Sequence, residues 1–184
     1  MASDFTHAVA ALSIGSCFYR PEIPKRVWVA GAICSAMPDL DVIGFRFGIH
    51  YGDFWGHRGF THSLVFAALL AGVTMLAVFR QKTAGIGQGA LFFYLFLATA
   101  SHGFLDAMTN GGLGVAFFSP VDNSRYFLPW RPIVVAPVSV TRFFTGRGIE
   151  VLKSELVWVW LPAAVFAGVV LIIRRKFTSA LRTD

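Results

Sequence analysis

Residues 57–79 read HRGFTHSLVFAALLAGVTMLAVF, two imidazoles, a guanidinium and two hydroxyls packed into seven residues and followed without a break by the apolar run Leu64 to Phe79. A run close to the ~20 residues that cross a bilayer is read as a membrane helix, which sets the polar heptad at a membrane face. Imidazole is the commonest metal ligand at neutral pH, and two in one short turn can close on a single ion. Ionisable groups beside so apolar a segment are costly unless something neutralises them. A bound metal would do so.

Working outward, Ala90 to Met108 and Val157 to Ile173 are two further runs of near-spanning length. Phe5 to Tyr19 and Val27 to Met37 are shorter. At ~1.5 Å per residue the second reaches only part of the way across a ~30 Å core, so the pair is expected to form a short helical hairpin partly inset in the membrane. Composition agrees: of 184 residues 55% are hydrophobic and only 14% charged, where a soluble domain would carry about a quarter charged. The expected fold is an all-α integral membrane protein, one domain over 1–184, with about five membrane-inserted helices. Two mixed loops, Leu40 to Thr61 and Thr109 to Leu156, would cover a metal site at one membrane face, with Ile133 to Val140 as a strand-like or re-entrant piece. Cys17 and Cys34 lie in apolar segments without CxxC spacing and read as small buried hydrophobes. The start, Met1-Ala2-Ser3-Asp4, lacks a basic signal-peptide region, so the first apolar segment is expected to be retained.

The formal charge is +6, but the basic residues fall mostly between apolar runs, where they serve topology and anionic headgroups rather than nucleic acid. Three short polar segments, Arg20 to Arg26, Arg80 to Gly87 and Arg174 to Asp184, hold nine of the sixteen Lys and Arg. The positive-inside rule makes them cytoplasmic. With five inserted helices the carboxyl terminus is then cytoplasmic and the amino terminus is not. His7, Asp39, Asp41, His57, His62, His102 and Asp106 all fall at the non-cytoplasmic end.

The spacings suit one cluster. His102 and Asp106, four apart, share a helix face. Asp39 and Asp41, two apart after Pro38, would point to one side of an extended segment. His57 and His62 suit a loop turning into a helix that Thr61 or Ser63 would cap. Four imidazoles and three carboxylates exceed the three protein ligands of a mononuclear catalytic zinc, which leaves open one ion with orienting acids or two bridged ions. Asp41, Arg58 and Thr61 are the further catalytic candidates, with Arg58 pairing with Asp39 or binding an anion. Zinc is the expected metal, manganese or magnesium the alternatives. His50 and Asp53 lack matching spacing and read as part of an interfacial aromatic belt.

Pro38-Asp39-Leu40-Asp41, the His57 to Ser63 heptad, and Ser101-His102-x3-Asp106-x2-Thr109-x-Gly111, in this order, resemble the YdjM family of bacterial inner-membrane proteins. The resemblance runs from His7 to about Pro120. It implies an inner-membrane, metal-centred hydrolase site built on His7, Asp39, His57, His62, His102 and Asp106. Beyond Pro120, Arg125, Arg131, Arg142 and Arg147 are candidates to grip a phosphate, since guanidinium binds it bidentately. Neither GxSxG nor HExxH is present. The expected activity is hydrolysis of a membrane-lipid phosphoester. The alternative is a non-enzymatic metal-binding, metal-transport or regulatory membrane protein, although a transporter places its site near the bilayer midplane.

Overall fold

The computed structural model describes residues 1–138 and 140–180. Among these there is no strand. Helix α1 (Asp4–Gly15) ends in the 3-10 turn Ser16–Phe18, and α2 (Arg26–Ala36) runs on as 3-10 turns over Met37–Phe47. Then come α3 (Leu64–Val78), α4 (Gln88–Ala107) and a long last helix, α5 (Gly148–Lys176), with a π-helical stretch at Leu156–Trp160. Arg26–Phe47, α4 and α5 are each long and apolar enough to cross a membrane, and α3 is a shorter apolar helix.

Helix α4 is the central element, packed against α1, α2 and α3. Leu91, Leu95 and Ala98, joined by Tyr94, recur at helical spacing along its buried stripe, and Ala11, Val27 and Ala71 from the three neighbours meet them. Small residues let the backbones approach: Gly31 faces the Tyr94 ring with no room for a Cβ. The same stripe continues at the same spacing into His102 and Asp106, both without solvent access. One face of one helix thus turns from core into site.

Three expectations from sequence are corrected. α1 and α2 pack on each other as a hairpin, but the second helical segment does not stop at Met37. Pro38 lies in the first turn of the 3-10 run, where its missing N–H is not needed, so the helical segment reaches 22 residues and Asp39 and Asp41 sit on helical rather than extended backbone. The last helix starts at Gly148, not Val157, because the polar residues that break its apolar run have partners. Ser154 Oγ accepts from the Val134 amide at 2.8 Å, and Glu155, inaccessible to solvent, accepts from the Ser3 amide (2.5 Å), Ser3 Oγ (2.6 Å) and Thr6 Oγ1 (2.8 Å). That carboxylate holds the start of α1 from across the bundle by accepting from the N-cap residue itself and from a first-turn hydroxyl, and it places a negative charge at the helix amino terminus. Finally, Ile133 to Val138 forms no strand; Ile133 makes a single parallel bridge to Thr109, and Ser139 lies outside the described residues.

The short basic segments gather at the end of the bundle away from the cluster. The Arg26 guanidinium lies 5.5 Å from the Phe79 ring centroid, next to the Arg80 segment, and Arg174 donates to the Cys17 carbonyl at the end of α1.

Candidate metal centre

Four elements deliver the donors. α1 carries His7, the 3-10 run after α2 carries Asp39 and Asp41, the turn Phe60–His62 carries His62, and α4 carries His102 and Asp106. Ser63 accepts from the Phe66 amide at 3.0 Å and so starts α3, the cap left open between it and Thr61. Gly103 sits beneath the turn: a Cβ there would stand 2.8 Å from the His62 carbonyl, so glycine is what lets His62 lie directly on α4.

His102 Nδ1 is 2.7 Å from the Ser35 carbonyl, a bond only an N–H can make, which leaves the Nε2 lone pair facing inward. His62 Nδ1 stands 3.2 Å from Asp41 Oδ2, which in the same way directs Nε2 inward. The two Nε2 atoms are 3.0 Å apart, with Asp39 Oδ1 at 3.4 Å and 3.5 Å from them and Asp106 Oδ2 at 3.7 Å from His62. His7 Nε2 faces the same space, 3.7 Å from Asp106 and 3.9 Å from Asp39, its ring stacked on His102 at 3.6 Å. Both nitrogens of His7 and both oxygens of Asp39 are buried without a hydrogen bond. Lone pairs and carboxylate oxygens crowded in this way suit a cation among them. The electrostatics agree. Burial opposes a charge on His62, yet Asp39 and Asp41 outweigh it and push its pKa up to about 9, whereas at His57 burial prevails over Asp41 and the pKa goes down. The donor set therefore fits a divalent metal ion at Asp39, His62, His102 and Asp106, whose ligand atoms lie within 4.8 Å of one another.

His57 joins this group indirectly. Its Nδ1 is 2.8 Å from Asp41 Oδ1, its Nε2 has no hydrogen-bond partner, and Asp41, His57 and His62 form a second ligand-spaced group that shares His62. Thr61 Oγ1 donates to Asp41 Oδ2 at 2.7 Å. Arg58, expected beside Asp39 or an anion, pairs instead with Asp106: Nε is 3.0 Å from Oδ2, while the other two nitrogens donate to the Gly111 carbonyl (2.8 Å) and Thr109 Oγ1 (2.9 Å). It is fully buried and in the left-handed region at φ 66°. Gly112, at φ 91°, lies so close that a Cβ would meet the guanidinium at 2.6 Å.

The four later arginines belong to the second mixed loop. Arg125 donates to the carbonyls of His57 (2.7 Å), Tyr51 (3.0 Å) and Asp53 (3.1 Å), which pins the aromatic loop. Arg131 lies over the Phe127 ring at 4.5 Å, and Arg142 precedes the π-helical turn Phe143–Arg147 that Arg147 ends, before α5. His50 and Asp53 pair with each other, largely exposed. Sequence reasoning missed Glu155 and the Ser35 carbonyl. An acid within a membrane helix was the available signal for the first, and a backbone carbonyl carries no sequence signal.

Fold and site together define a multi-pass, all-helical membrane protein with a buried imidazole and carboxylate cluster at one end of its bundle. The chain matches the YdjM inner membrane protein family over residues 1–177 and belongs to that family. Inner membrane protein YbcI of Escherichia coli (strain K12) is 44% identical over 171 residues, covering 91% of this chain and 96% of that protein. Both place it in the bacterial inner membrane. No solved structure matches it.

Proposed function

We propose that this protein is a metal-dependent hydrolase acting on a phosphoester of a membrane lipid. The observation that carries the reading is the 3.0 Å approach of His62 Nε2 and His102 Nε2 beside two buried carboxylates. Asp39, His62, His102 and Asp106 would hold the ion, with His7 facing them from α1; so many imidazoles among carboxylates favour zinc over manganese or magnesium. Such an ion, when bound, supplies water activation near neutral pH and charge stabilisation at a phosphoryl oxygen. The chain's own residues prepare the place. Asp41 holds both His57 and His62 in orientation, Thr61 fixes Asp41, and Arg58 fixes Asp106 while offsetting its charge. Because Asp41 is already engaged by these partners, one ion with an orienting acid is the simpler occupancy and two ions the richer one. Arg142 and Arg147, exposed at the turn before α5, are the arginines carried forward for the headgroup.

The test is phosphate release from phosphatidic acid by detergent-purified protein, paired with elemental analysis. Chelation is expected to take turnover to background and zinc to restore it. Full turnover by metal-depleted protein would end the hydrolase reading, and stoichiometric metal without turnover of any lipid phosphate would favour the binding or transport alternative.

We also propose that the cluster faces the non-cytoplasmic side and the carboxyl terminus the cytoplasm. The gathering of the basic segments at the opposite end of the bundle supports this. With both native cysteines replaced by Ser, Asp122→Cys and Lys176→Cys are expected to react with a membrane-impermeant maleimide from opposite faces. Labelling from the same face rejects this orientation.

A further inference from the structure

We infer that the hydrocarbon tail of the substrate lies in the apolar cavity that opens beside Asp39, which makes the substrate a long-chain lipid phosphate rather than a water-soluble phosphomonoester. This rests on the lipid-phosphoester reading above. The cavity, about 500 Å³, is bounded by the first turn of α1, the end of α2 with the 3-10 run that follows, Ala136, Pro137 and Val138, and Phe143 and Phe144. That volume is in the range of small-molecule sites. Phe5, Leu40, Val42, Val138, Phe143 and Phe144 supply most of its wall.

Asp39 makes the connection to the site. It lines the cavity, and its buried carboxylate stands 3.4 Å from His102 Nε2, so the cavity wall and the cluster share a residue. A molecule filling the cavity can lie with one end against Asp39. The other end meets an apolar rim, for Phe5, Leu40 and Phe144 are 66%, 52% and 78% exposed. In a chain with membrane-crossing helices such a rim meets acyl chains, and access is lateral from the bilayer.

The charged groups point the same way. Asp4 and Asp39 line the cavity, and among the described residues no Lys or Arg does. A small phosphate monoester arriving alone would meet two carboxylates and no cation along this wall, and would gain nothing from the aromatic and aliphatic side chains. Burial of a hydrocarbon tail is the attraction the wall offers.

The probe is phosphatidic acid carrying a diazirine at the end of one acyl chain, irradiated with the wild-type protein in lipid nanodiscs and mapped by peptide mass spectrometry. Label is expected in residues 36–42 and 137–144, and excess unlabelled dioleoyl phosphatidic acid should remove it. Label confined to the outward residues Val165, Phe166 and Val169 of α5, or cavity label that is not competed, overturns the proposal. Val42→Trp is expected to reduce cavity labelling at least fivefold, and labelling at the wild-type level also overturns it. The two readings fail separately. Competed cavity labelling without turnover removes the hydrolase alone, and lipid turnover without cavity labelling removes the tail site alone.

Discussion

His102→Ala is expected to reduce bound metal to background in elemental analysis of the purified protein, and lipid-phosphate turnover with it. The effect is large because His102 makes the two shortest contacts among the inward-facing donors, 3.0 Å to His62 and 3.4 Å to Asp39, and stacks on His7. Its orientation is fixed by the Ser35 carbonyl. Asp41→Asn provides the contrast. It leaves those contacts in place but replaces one of the two oxygens that orient His57 and His62 by an NH2 donor and removes the charge, a loss worth about 10- to 100-fold in metal affinity at comparable sites. Retention of a full equivalent of metal by both His62→Ala and His102→Ala would show that the cluster is not the metal site.

Arg58→Ala should be the most destabilising single change, by about 3–5 kcal/mol, because it leaves the fully buried Asp106 carboxylate without its charge partner. Arg58→Lys should restore little, since an ammonium cannot reach Asp106, Thr109 and Gly111 together from one position. The backbone of Arg58 adds to the demand: its amide donates to Asp41 at 3.3 Å and its carbonyl accepts from Ala116 at 3.0 Å, which ties the heptad both to the site and to the second loop. The measurement is the thermal midpoint in detergent. An unchanged midpoint for Arg58→Ala would mean that Asp106 is neutralised by something other than this pair.

These two residues also show what was legible in the sequence. The helical spacing that carries Leu91, Leu95 and Ala98 into His102 and Asp106 is a local pattern, and it placed both site residues of α4 on the buried face. The partner of Arg58 is not a local matter. Asp39 and Asp106 both lie near the heptad once the chain is folded, and only the path of the turn, with its left-handed Arg58, selects the second. Glu155 was hidden for a related reason: its partners Ser3 and Thr6 lie about 150 residues earlier, and in sequence it stands among Glu150, Lys153 and Ser154 as part of a polar connection. Pro38 misled in the opposite direction. A proline after an apolar run signals a helix end, and here the backbone continues by tightening into 3-10 turns that accept it.

The bond from Glu155 to Ser3 also sets a schedule for biosynthesis. Chains emerge at about 5–20 residues per second, so α1 is in place many seconds before the ribosome has delivered the helix that holds its first turn. Until then the amide and hydroxyl of Ser3, about one turn before His7, lack this acceptor. The last helix to be made thus completes the anchoring of the first.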